Sequence, residues 1–316
     1  MEIDANVTNK TSEQVKIRAC DFLFQLPDDM ANGKAALATI SSIMSILAAL
    51  SNAVILLAIK KTPSLRKPSH ILIANLALSD FLVGVFGLFF WATDGIKDES
   101  GSTKYCLSFL IKRTFMYWLA AISVFTLVVI SFDRVLAVKL KASYCLVVTA
   151  KRVKLVLLVC WIMSGAYVIV LGFWNNVTLK MVLKQVAVVT CLLVMSIAVS
   201  YTIAAKELRG LACQVSAANN QSKDSKARAF DALKYRKSLK TMMIVFFATI
   251  LFYVPVLCLS AIKSFGNLPF NALNLHFRIA EAIALGNSMI NPVIYLWRMR
   301  DLRQAVYNTL RKVLNH

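Results

Sequence analysis

The sequence predicts an all-α membrane protein, a bundle of seven spanning helices followed by a short amphipathic helix. Three observations predict it. The chain has 316 residues, of which 58% are hydrophobic and only 16% charged, whereas soluble chains average roughly 45–50% apolar residues. Its mean hydropathy is +0.65. The apolar excess is gathered into seven stretches of about 20 residues or more, the length that crosses a bilayer core as a helix. A single segment can cross only as a helix, because a helix satisfies its own backbone hydrogen bonds in lipid. The short alternating strands of a barrel are not seen.

In chain order, residues 1–34 are polar and are expected to form an extracellular segment. They contain no apolar core of a signal peptide, so none is expected to be cleaved. The bundle occupies 35–295. Its spans are expected at Ala35–Ile59, His70–Thr93, Ser108–Val138, Val153–Phe173, Met181–Ala205, Leu239–Ile262 and Leu275–Tyr295. The connection Ala205–Lys237 is the longest inside the bundle. Its Ser, Asn, Gln and Lys content suits a mobile loop that extends the flanking helices. Residues 296–316 complete the chain. There Leu302, Ala305, Val306, Leu310 and Val313 recur at helical spacing between arginines and Lys312. That pattern predicts an amphipathic helix on the inner leaflet. No cysteine is present there for palmitoylation.

Charge orients the bundle. The net charge is +20. With the N-terminus outside, the inner segments carry about twice as many basic residues as the outer ones, as the positive-inside rule requires. The sequons at Asn6, Asn9 and Asn176 then all fall on the outer side, where glycosylation occurs. Cys20 and Cys106 are the two cysteines on that oxidising side. They form either a disulfide or two free thiols.

Other classes fit less well. The basic residues lie in short loops between apolar runs, which argues against a nucleic-acid surface despite a pI near 9.8. Seven cysteines without a C-x-x-C spacing give no zinc or redox motif. A multi-span transporter or channel is the alternative reading. It would call for internal repeats and for charges along a path. Only Asp80 and Glu281 are acids well inside the spans, with Asp133 at an end. An intramembrane hydrolase would need paired aspartates or a Ser/His dyad. His70, His276 and His316 instead lie near span ends or the terminus.

Polar groups in hydrocarbon are costly and mark function or structure. The second span holds Asp80, the first Asn52, the third Ser123, and the seventh Asn287, Ser288 and Asn291. Asn287 and Asn291 share a helix face. One carboxylate among amide and hydroxyl oxygens suits a small hard cation or water, or a hydrogen-bonded network without an ion. Asp133-Arg134 closes the third span, as either a solvated cap or a switch. Pro255 and Pro292 each remove a backbone donor and kink their helices, and Asn291 stands ready to replace the lost bond.

Together these residues resemble the rhodopsin-like family of G-protein-coupled receptors. One match falls on each span, in order. They are Asn52, the run Leu76-Ala77-Leu78-Ser79-Asp80, Asp133-Arg134, Trp161, Tyr201, Pro255 and Asn291-Pro292-x-x-Tyr295. The resemblance covers about residues 35 to 312. It implies a plasma-membrane receptor, not an enzyme, that binds an extracellular ligand and acts on a heterotrimeric G protein. It implies no resident cofactor beyond a sodium ion at Asp80, Ser123, Asn287, Ser288 and Asn291. It implies that Asp133, Arg134, Tyr201, Pro255, Asn291, Pro292 and Tyr295 carry activation. The ligand site it implies is the outer cavity between the third, sixth and seventh spans. Counting along the helices, Met116, Tyr117 and Ala120, then Tyr253, Leu257 and Ser260, and Glu281 belong to that cavity. Phe90 and Trp91 give an apolar wall and Arg113 a rim charge.

The sequence also departs from the family. Val135 replaces an aromatic, Tyr253 a tryptophan and Leu193 a proline. No acid stands at Tyr235 to hold Arg134. The loop after the fourth span is short and lacks cysteine. The last features are similar to the melanocortin, cannabinoid and lysosphingolipid branch. No acid stands at Met116, which makes a monoamine ligand less expected.

Overall fold

The structure is a computed structural model. It describes residues 31–94, 103–140, 143–173, 188, 191–192, 194–207, 209–210, 223–265 and 273–314. Helices are α1 (Ala31–Lys61), α2 (Pro68–Asp94), α3 (Thr103–Leu140), α4 (Ala150–Phe173), α5 (described in pieces, with 194–207 continuous), α6 (Lys223–Phe265), α7 (Asn274–Arg298) and α8 (Arg300–Leu314). A 3-10 turn at Pro63–Leu65 joins α1 to α2, and a one-turn helix at Tyr144–Val147 lies between α3 and α4. Among the described residues six helices are long and apolar enough to cross a membrane. The bundle with its C-terminal helix is the predicted architecture.

The helices overrun the predicted spans. α6 has 43 residues, about 65 Å at 1.5 Å per residue, against a bilayer core of roughly 30 Å. The segment expected to be mostly loop from Ala205 is therefore helical from Lys223 onward. Lys, Arg and Ala are good helix formers, and propensity carries the helix past the apolar stretch. Pro255 in α6 and Pro292 in α7 both lie inside continuous helices.

α1 packs along α2 and α7, α2 on α3, α3 on α4, and α6 on α7. In lipid, close packing replaces the hydrophobic effect between helices, and small residues allow it. A Cβ on Gly84 of α2 would lie 2.5 Å from the Ala49 nitrogen and 2.7 Å from the Ser45 carbonyl of α1. Both are backbone atoms that cannot yield without separating the helices. Gly84→Val is expected to lower the melting temperature of the purified protein, since overpacking costs about 1–3 kcal/mol. Gly33→Ala, where a Cβ meets nothing within 4 Å, is the control. Equal melting of the two variants would contradict this packing.

A polar thread ties α2, α3 and α4. Trp161 Nε1 donates to Asn75 Oδ1 at 3.0 Å, and Asn75 Nδ2 donates to Thr126 Oγ1 at 2.8 Å. The Trp118 and Trp161 rings meet edge to face, 5.6 Å apart. Trp118 Nε1 donates to Ser164 Oγ at 3.1 Å.

α8 corrects one expectation. Its predicted lipid-facing stripe is largely covered. Leu302, Ala305 and Val306 are buried in the main core cluster, because α8 packs on α1 and α7. Among the described residues, the large apolar side chains of α8 left exposed are Tyr307 and Leu310. Met299 alone separates α8 from α7, and so short a connection keeps α8 against the bundle.

Candidate functional site

Midway through the bundle, α2 brings Asp80 to full burial. Ser288 Oγ donates to its Oδ1 at 2.7 Å, Asn291 Nδ2 to its Oδ2 at 2.8 Å, and Ser123 Oγ to Oδ1 at 3.4 Å. Ser79 and Ser123 hydroxyls share a bond of 2.9 Å. Asn52 Nδ2 donates to the Ser288 carbonyl at 2.8 Å, so α1 joins the cluster through backbone. Of the predicted set, Ser123, Ser288 and Asn291 therefore meet on the Asp80 carboxylate. Asn287 is buried as well, with its Oδ1 among several buried oxygens that find no donor among the described residues. They include Asn52 Oδ1, Asn291 Oδ1 and the Tyr295 hydroxyl, besides Ser41 Oγ and the Tyr167 hydroxyl.

That inventory has a chemical meaning. An amide oxygen can only accept, and a buried oxygen without a donor carries an unpaid desolvation cost. Three such amide oxygens and a hydroxyl accompany a buried carboxylate. Oxygen donors with a single negative charge match a small monovalent cation with water. A protein-only network would instead leave these acceptors unsatisfied. Among the described residues no group of three His, Cys, Asp or Glu side chains is gathered for a transition metal.

At one end of α3, Asp133 and Arg134 form an ion pair between sequence neighbours. Tyr144, from the one-turn helix, donates to Asp133 Oδ1 at 2.6 Å. Burial, and then the Asp133 carboxylate, push the Tyr144 phenol well above its usual range. It therefore stays a donor at any physiological pH. Asp133, held in turn by Tyr144, is thus one partner of Arg134. Tyr235, the α6 position noted for its missing acid, has a side chain outside the described residues. Tyr201 of α5 is buried and packs on Phe246 of α6, ring centroids 5.8 Å apart. Tyr295 of α7 is wholly buried below Pro292.

At the other end, Tyr117 of α3 donates to Glu281 Oε1 of α7 at 3.1 Å. Two residues predicted for the ligand site thus bridge the helices that were expected to frame it. Ser260 is buried, and Ala120, Tyr253 and Leu257 are half-buried. Met116 turns toward α2, its Cε 3.7 Å from the place of a Cβ on Gly87. Phe90 joins an aromatic layer with Phe86 and Phe89, and Phe86 meets Phe115 at 4.6 Å. Lys112 lies over Phe89 and Phe90, 5.9 Å from each centroid. The side chains of Trp91, Arg113 and Cys106 lie outside the described residues, as do Asn6, Asn9, Cys20 and Asn176 altogether.

Sequence reasoning missed Asn75, Thr126, Phe86, Phe115 and Tyr144. Asn75 carried a signal, since an amide inside a span calls for a partner. Tyr144 carried none, because its partner depends on how the connection folds back.

The model of the family described as 7 transmembrane receptor (rhodopsin family) matches residues 51–295. The chain is similar to the adenosine receptor A2a of Cavia porcellus, 26% identical over 87% of this chain and 72% of the relative. It is similar to the adenosine receptor A3 of Ovis aries, 24% identical over 84% of this chain and 87% of the relative. It is also similar to the cannabinoid receptor 1 of Xenopus laevis, 25% identical over 85% of this chain and 62% of the relative. The cannabinoid likeness falls within the branch the short loop pointed to.

Proposed function

The chain belongs to the rhodopsin family of seven-transmembrane receptors, and from that premise we propose that it binds an extracellular ligand and promotes nucleotide exchange on a heterotrimeric G protein. It is a multi-pass membrane receptor, and its relatives are receptors rather than enzymes. In the proposed orientation the N-terminus is outside and the Arg134 end faces the cytoplasm. The observation that carries this reading is the Tyr144–Asp133–Arg134 cluster. It sets a guanidinium beside its own neighbour near the foot of an apolar helix, where an exchange of partners leaves the α3 backbone unchanged. A ligand acts by binding one arrangement of the bundle better than another, and the G protein prefers the same one.

The Asp80 cluster fits a sodium ion in the resting arrangement. Asp80 with Ser123, Ser288 and the oxygens of Asn287 and Asn291 would hold it, and the ion would supply the positive charge that the buried carboxylate lacks.

The test of coupling is a nucleotide-sensitive complex. Purified receptor mixed with representatives of each Gα class is expected to form a stable complex with one of them when nucleotide is removed. A guanosine triphosphate analogue is expected to dissolve it. No complex with any class would overturn the reading.

The ligand proposed is an amphiphilic small molecule, seated beside the Tyr117–Glu281 bridge with its apolar part on the Phe86–Phe90–Phe115 layer. The adenosine and cannabinoid receptors among the relatives make both ligand classes the first to screen. Glu281 meets a ligand cation directly or shapes the pocket through Tyr117, and Glu281→Gln distinguishes the two. In direct contact, the change weakens a cationic ligand by roughly 1.5–3 kcal/mol, the scale of a charged hydrogen bond, and spares a neutral analogue. Equal loss for both ligands assigns Glu281 to shape. No loss for either removes it from the site.

A further inference from the structure

At the Arg134 end, α5 and α6 meet through Tyr201 and Phe246 but leave a gap outside that contact. Between them lies a groove of about 480 Å³. Its walls are apolar, from Val194, Ala198 and Ala205 on α5 and from Met243, Phe247 and Ile250 on α6. Phe247 and Thr202 are exposed, so the groove faces away from the bundle axis. At its foot stand Lys206 and Arg209, both exposed. Three residues apart, they lie on one helix face. The neighbouring acid, Glu207, reaches across to Lys139 of α3 at 4.0 Å, so among the described residues the charge at the mouth of the groove is positive.

We propose that this groove is a binding site for an anionic phospholipid, with one acyl chain between α5 and α6 and the headgroup on Lys206 and Arg209. Length supports it. Val194 to Arg209 spans about 22 Å of helix, more than one leaflet's half of a roughly 30 Å core. Charge selects the headgroup, because each Lys or Arg near a membrane surface favours an anionic lipid about fivefold. A neutral lipid would fill the same apolar walls without that term. The site matters to the molecule because Tyr201 and Phe246, which pack on each other, also line the groove. An occupant there touches the residues through which α5 and α6 meet.

The test uses the full chain in lipid nanodiscs doped with a phospholipid bearing a photoactivatable group on its acyl chain. Phosphatidylserine and phosphatidylcholine forms are compared, and cross-links are mapped by peptide mass spectrometry. The serine form is expected to label residues of the α5–α6 groove about five- to thirtyfold more than the choline form. The exposed double variant Lys206→Glu/Arg209→Glu is expected to abolish that preference. Ala198→Phe, which fills the groove, is expected to reduce labelling by both forms severalfold. If Ala198→Phe melts early, the charge variant decides alone, since exposed substitutions seldom disturb folding. Equal labelling by the two headgroups in wild type, or a preference that survives the double variant, would overturn the proposal. The readout is binding, so it stands or fails separately from G-protein coupling.

Discussion

Replacing Asp80 with asparagine is expected to abolish the response of the receptor to sodium. In wild type, sodium in place of a large organic cation should raise the melting temperature. A ligand at ten times its Kd stabilises by about 1.4 kcal/mol. It should also lower agonist affinity and basal exchange, by a coupling typically of 1–3 kcal/mol, or roughly 5- to 150-fold. Asp80→Asn keeps the size of the side chain and one acceptor oxygen, which suffices for Ser288, while its amide nitrogen replaces the oxygen that accepts from Asn291, so Asn291 must turn its own Oδ1 toward it. What disappears is the charge that would draw a cation among the donorless oxygens of Asn52, Asn287 and Asn291. An equal melting temperature in the two cations for wild type would show that the cluster is a hydrogen-bonded network with water only.

The second large effect is expected at Arg134. Arg134→Ala should cut nucleotide exchange by about tenfold or more, as the loss of a charged hydrogen bond of roughly 1.5–3 kcal/mol implies. Surface expression should hold, because the change removes no side chain from the apolar core clusters. Tyr144→Phe makes the contrast. It removes the donor from Asp133 Oδ1, loosens the carboxylate that holds Arg134, and should raise basal exchange. Exchange unchanged in Arg134→Ala would remove this end of the bundle from coupling. A fall in Tyr144→Phe would mean that the cluster supports the active arrangement instead.

The sequence made the spans legible because lipid imposes one rule on all of them: about 20 apolar residues and no unpaired backbone. The mid-bundle cluster was legible for the same reason. Asp80, Asn287 and Asn291 are expensive where they stand, and the structure brings Asp80 and Asn291 within 2.8 Å. What periodicity did not reveal were contacts set by tertiary geometry. α8 has an apolar face in either setting, and only its docking on α1 decides that Leu302 meets protein and not lipid. The extension of α6 back to Lys223 follows from propensity in a stretch read by polarity alone. Tyr144 reaches Asp133 only because a one-turn helix forms between α3 and α4. At the outer end, Tyr117 and Glu281 were placed by counting along two helices, and a bond of 3.1 Å joins them. The same counting placed Met116 in the cavity between three helices, whereas its side chain leans on α2.

The central claim is that this bundle catalyses nucleotide exchange from the Arg134 end. The most direct measurement is the rate of guanine-nucleotide loading on a purified G-protein heterotrimer, with and without the reconstituted receptor. With no acid standing at Tyr235 to hold Arg134, loading is expected above the G protein's own rate even before a ligand is added, with a further rise with agonist, and a fall when sodium replaces the large organic cation. Loading indistinguishable from G protein alone across every Gα class, with and without agonist, would contradict it.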